Sequence, residues 1–71
     1  MEISYDKEAD AIYIEFSKRP FAKNKKVDDL TIFDLDKKGE IIGIEILEAS
    51  KRLPNKSLQE IHVRNIDVVN D

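Results

Sequence analysis

The chain has 71 residues, 38% of them charged, and a formal net charge of −3. That length holds one small domain with a thin core, of the kind that often leans on a staple or a partner. With no cysteine there is neither a disulfide nor a thiolate metal site, and the acidic balance argues against broad nucleic-acid binding through net charge alone.

Taken in order, Glu2 to Tyr5 reads as a short first strand, and Asp6-Lys7-Glu8-Ala9-Asp10 as a polar reversal. Ala11 to Phe16 is a second strand, with Ile12, Ile14 and Phe16 on one side and Ala11, Tyr13 and Glu15 on the other. So short a turn makes the two strands antiparallel neighbours. Ser17 to Asp29 is a long polar connection in which Pro20 opposes a central strand, although an extended edge segment around Ala22 to Val27 is compatible with it. No run is apolar enough to span a membrane, and MEISYDKEAD lacks the character of a signal peptide, so a cytoplasmic setting without a membrane partner is expected.

The centre of the chain is LTIFDLDKKGEIIGIEIL, Leu30 to Leu47, a β-hairpin turning at Asp36-Lys37-Lys38-Gly39. A type I turn with Gly39 in the left-handed position pairs Asp36 with Glu40 and Leu35 with Ile41. Continued without interruption, that register sets Phe33 opposite Gly43, Ile32 opposite Ile44 and Leu30 opposite Ile46. One face then carries Leu30, Ile32, Ile42, Ile44 and Ile46, and the other Phe33, Leu35, Ile41 and Leu47. With both faces apolar the hairpin belongs in the middle of its sheet.

Beyond it, Glu48 to Leu53 makes one or two helical turns stopped by Pro54, and Ser57-Leu58-Gln59-Glu60 has the form of a capping box opening a short helix with Leu58 and Ile61 inward. Ile66 to Val69 has the β-branched content of a strand. The expectation is a single α+β domain over 1–71. It has a four-stranded antiparallel β-meander over about 2–47, a helical segment over about 48–64 packed on one face, and a tail over 65–71.

Tyr5-Asp6, Glu8 to Ile14, Val27-Asp28-Asp29, Asp34-Leu35-Asp36 with Gly39, Ile42 to Leu47, and Ala49-Ser50 together resemble a family of short prokaryotic proteins catalogued as domain of unknown function 2283. The resemblance runs over roughly residues 3–53 and implies a small antiparallel sheet followed by a helix. It brings no catalytic residues. Some relatives are encoded beside small toxin-like proteins, which is consistent with an antitoxin or partner-binding role.

Several motifs carry possible chemistry. Asp34, Asp36, Gly39, Glu40 and Glu45 match positions of a calcium-binding loop, but Lys38 stands where a ligand belongs and the flanks alternate like strands. Asp6, Glu8, Asp10, Asp28, Asp29 and Glu48 fit turns and caps better than acid–base work. His62, the only histidine, has no evident nucleophile or orienting partner and reads as a solvated helix residue. Two glycines cannot build a phosphate-binding loop. Catalytic, cofactor and metal residues are therefore assigned to none.

The one strong composition shift is Lys18-Arg19-Pro20-Phe21-Ala22-Lys23-Asn24-Lys25-Lys26. Lys18, Arg19, Phe21, Lys23, Lys25 and Lys26 are candidate nucleic-acid contacts, although a solvated loop explains them with less. An uncovered apolar face is the alternative surface, with Tyr13, Phe33, Leu35 and Ile41 as partner-binding candidates and a homodimer or small protein partner as the occupant. The preferred class is a non-enzymatic protein-binding or regulatory module. Nucleic-acid contact through residues 18–26 ranks second, and a small metal-dependent or hydrolytic enzyme third.

Overall fold

The computed structural model describes residues 1–54, 56–60, 62 and 64. Five strands form one antiparallel sheet: β1 (Glu2–Asp6), β2 (Ala11–Glu15), β3 (Lys23–Asp28), β4 (Thr31–Leu35) and β5 (Ile41–Ile46). Their order is β1-β2-β5-β4-β3. The first hairpin, β1–β2, lies against the last strand of the second, and β5 is the central strand.

The expected four-strand meander is corrected in two respects. The lysine-rich stretch after Pro20 is a fifth strand, and the chain between β2 and β3 crosses from one side of the sheet to its far edge. Lysine is a poor strand residue in a sheet interior. At an edge its side chains stay solvated on both faces while its backbone satisfies the outer groups of β4.

The central hairpin also departs from an uninterrupted register. Near the turn the pairing is as expected: the Asp36 amide donates to the Glu40 carbonyl at 3.0 Å, and Leu35 faces Ile41. The next pair is Asp34 with Gly43, so Ile42 is an extra residue, a β-bulge. Every later pair moves by one: Phe33 faces Ile44, Ile32 faces Glu45 and Thr31 faces Ile46. A shift of one residue turns β4 over. Phe33 thus joins Ile3 and Tyr5 of β1, Ile12 and Ile14 of β2, and Ile44 and Ile46 of β5 on one face. Ile32 moves to the other, with Tyr13, Glu15, Glu45, Asp34 and Asn24. The pairings of Phe33 with Gly43 and Ile32 with Ile44 do not form.

The turn itself follows its chemistry. The Asp36 side chain accepts from the amides of Lys38 (2.9 Å) and Glu40 (3.0 Å), and Gly39 takes a positive φ of 84°. Nothing lies within 4 Å of where a Gly39 Cβ would stand. Gly39→Ala is therefore a backbone test alone, expected to cost about 1 kcal/mol in a urea melt. Equal stability would refute the left-handed turn.

After β5 the chain turns through Glu48 into a single helical turn, α1 (Ala49–Arg52), which ends before Pro54. Two clasps fix it. Asp10, at the β1–β2 turn, takes the Ser50 amide (3.0 Å) and the Ser50 hydroxyl (2.7 Å) on its carboxylate, and the Tyr5 hydroxyl donates to it at 2.7 Å. Arg52 donates from the other side to the Leu30 carbonyl (2.6 Å) and the Thr31 hydroxyl (2.8 Å). Ala49 sits fully enclosed between them.

Ser57–Gln59 is a single 3₁₀ turn rather than the start of a capped helix. The Ser57 hydroxyl is spent on the Pro54 carbonyl at 2.6 Å, so the capping box does not form. Leu53 and Leu58 line a hollow of about 230 Å³ with Ile3, Ile12, Ile14 and Ile46, at the β1–β2 side of the apolar face. The inward position expected for Ile61 and the strand expected at Ile66 to Val69 lie outside the described residues. Ile12, Leu35, Ile42 and Ala49 are the buried hydrophobic residues among those described.

Candidate functional site

The bulge divides the surface into three regions. The first is the β4–β5 side of the apolar face, where Phe33 and Ile44 are half-buried, away from the hollow that Leu53 and Leu58 line. Of the expected partner-binding residues, Phe33 lies here. Leu35 shares its face but is buried, Ile41 is 44% exposed at the start of β5, and Tyr13 is on the opposite side of the sheet. The four do not form one patch, because the register that would have united them is broken at Ile42.

The second region is a polar network at the middle of the other face. Asp34 is only 8% exposed, and Asn24 on the neighbouring strand donates to its Oδ1 at 2.7 Å. The Tyr13 ring lies across Gly43, on the face that carries Asp34. A Cβ on Gly43 would stand 2.8 Å from Cζ of that ring and 3.0 Å from Cε1, so only glycine leaves it room. Burial, a hydrogen bond to Asp34 and the charge of Asp34 push the Glu45 carboxyl above its ordinary 4.5. Burial and the same aspartate raise the Tyr13 phenol. Chemically this is a cluster of two carboxyl side chains, Asp34 and Glu45, with a phenol and an amide on the same face.

The network has a pH signature. Glu45 binds its proton more tightly folded than unfolded, so its contribution is fully present below pH 4.5 and is lost as pH rises through the raised value. Asp10, Asp28 and Asp36 have the opposite sign. Hydrogen bonds hold the first two down: Ser50 and Tyr5 to Asp10, the Leu30 amide to Asp28. For Asp36, burial pushes upward, but the Glu40 amide, Arg19 and the Lys38 amide together outweigh it. Stability from these three is lost as pH falls below 3.8. Thermal melts across the acid-to-neutral range should peak between those limits, and Glu45→Gln should abolish the decline on the neutral side. An unchanged decline in the variant would contradict the raised Glu45 carboxyl.

The third region is the β3 edge and the turn beside it. Arg19 is tied to Asp36 Oδ2 (3.2 Å) and Glu40 Oε2 (2.9 Å), and Lys18 is exposed. Lys23 and Lys25 lie on the Phe33 face, whereas Lys26 lies on the Asp34 face. Residues 18–26 are thus not one basic patch. Beside them Pro20 and Phe21, with Arg19, Asp36, Lys37 and Lys38, line an open hollow of about 430 Å³. In sequence Lys37 and Lys38 belong to the turn; in the fold they line this hollow with Phe21.

The calcium-loop pattern does not converge. Asp36 and Glu40 are engaged at the turn by amides and Arg19, while Asp34 and Glu45 lie on the sheet face. Among the described residues no three acidic, histidine or cysteine side chains stand together as a metal site, and no helix is long and apolar enough to cross a membrane. His62 is exposed and 2.7 Å from Glu60.

The chain belongs to the family described as protein of unknown function DUF2283, whose model matches residues 2–50. That span ends at Ser50 and so contains the Asp10 clasp and the whole sheet. No match was found among curated proteins or among solved structures.

Proposed function

We propose that the chain is a non-enzymatic protein-binding or regulatory module, working through the part of its apolar face that carries Phe33 and Ile44. The observation that supports this is how the polar side chains are used. Asp10 is spent on Tyr5 and Ser50, Asp34 on Asn24, and Asp36 on Arg19 and the turn amides. On the apolar face what is left half-open is hydrocarbon: Phe33, Ile14 and Ile44, with exposed Phe16 just past the end of β2. For so small a domain, covering such a strip with another polypeptide adds burial that its own core lacks.

A second copy of the chain is the first occupant to test. Wild type is expected to bind a hydrophobic dye and to self-associate at high micromolar concentration in light scattering after size exclusion. Phe33→Glu should abolish both while leaving the strand signal in circular dichroism intact. A wild type that stays monomeric and binds no dye would sink this reading.

A further inference from the structure

Resting on the protein-binding reading above, we infer that the outer edge of β3 is a second docking element. It takes an acidic, extended segment of a partner protein, which joins the sheet as a sixth strand. Among the described residues no strand pairs with that edge, so its outward amides and carbonyls offer a template for another strand. All six residues of β3 are exposed, and Lys23, Asn24, Lys25 and Lys26 run regularly before the register shifts at Val27.

Charge selects the occupant. Lys23, Lys25, Lys26, Lys37 and Lys38 form no ion pair among the described residues, whereas both arginines of the sheet region do. The three β3 lysines fall on both faces of the edge. A partner strand presents alternate side chains to the two faces, so carboxylates on it meet a lysine whichever way they point. A second copy pairing through the same edge would set lysine against lysine, which is unfavourable.

Lysines alone could serve merely to keep other strands away. The edge, however, is bracketed by apolar groups that repulsion does not require: Phe21 at one end is 57% exposed and Val27 at the other is 56% exposed. The Phe21 end opens into the hollow beside Lys37 and Lys38, where an apolar side chain of the partner can anchor. A nucleic-acid strand fits less well. A free row of outward backbone amides and carbonyls is complementary to a polypeptide strand, whereas a sugar-phosphate backbone has no such alternating donors and acceptors.

The probe is a synthetic peptide of about ten residues, near the upper end of strand length, alternating glutamate with valine and ending in phenylalanine. A lysine-for-glutamate counterpart and a mixed-sequence RNA oligonucleotide are the controls. The acidic peptide is expected to protect the outward amides of β3 from hydrogen exchange, and Lys23→Glu with Lys25→Glu should weaken its binding at least about tenfold. Both lysines are exposed, so the variant is expected to keep the wild-type fold. Protection by the RNA rather than the acidic peptide would overturn the inference in favour of a polyanion. Equal protection by the lysine counterpart would overturn the charge selection. No protection by any probe, in a protein that still binds dye at Phe33 and Ile44, would overturn the docking edge and leave the apolar-face reading standing.

Discussion

Ile42→Ala is expected to lower stability by about 3 kcal/mol, a large part of the roughly 4–10 kcal/mol that a chain of this length commands. Ile42 is the extra residue of the bulge, 5% exposed, and its carbonyl accepts the Phe16 amide at 2.8 Å and the Ser17 amide at 3.3 Å. It therefore fills the core and holds the chain leaving β2. Truncation opens a cavity in a core whose other buried hydrophobic residues, among those described, are Ile12, Leu35 and Ala49. Its neighbour supplies the control: Ile41 is 44% exposed, and Ile41→Ala should cost less than about 1 kcal/mol. Denaturant melts of the two variants compare adjacent isoleucines of identical chemistry. Equal losses would mean that the bulge does not turn Ile42 inward.

Gly43→Ala is expected to cost about 2 kcal/mol through overpacking. The new methyl would occupy space held by the Tyr13 ring, which would have to move. Most of that loss should vanish when Tyr13 is already alanine, giving a coupling above about 1 kcal/mol in a double-mutant cycle. A Phe33→Ala background should show no such relief, because Phe33 lies on the opposite face. Additive effects of Gly43→Ala and Tyr13→Ala would remove the ring from its assigned place.

The turn at Asp36 to Gly39 was legible because its chemistry is local: an aspartate that accepts nearby amides and a glycine with positive φ. The bulge was not, since Ile41-Ile42-Gly43-Ile44 satisfies an apolar alternation in either register. One signal against the unbroken register was present. It leaves the Asp34 carboxylate on the face of Ile32, Ile42 and Ile44, where burial without partners is costly. The bulge places Asp34 beside Asn24, Tyr13 and Glu45.

The fifth strand was legible only as an extended edge segment compatible with Ala22 to Val27, and for a different reason. A lysine-rich edge has no hydrophobic period, and its partner β4 lies on the far side of a turn. Tyr5, Asp10 and Ser50 were visible as parts of a family pattern. Their meeting depends on the β1–β2 turn and α1 arriving at one place, which no local rule supplies.

Everything assigned to the two faces rests on the register of β4 against β5, and cross-strand contacts between backbone protons in nuclear Overhauser spectra measure it directly. The account predicts contacts linking Phe33 with Ile44, Asp34 with Gly43 and Thr31 with Ile46. Contacts linking Phe33 with Gly43 and Ile32 with Ile44 would contradict it. They would return Phe33 and Tyr13 to one face and dissolve the division between the docking surface and the polar network.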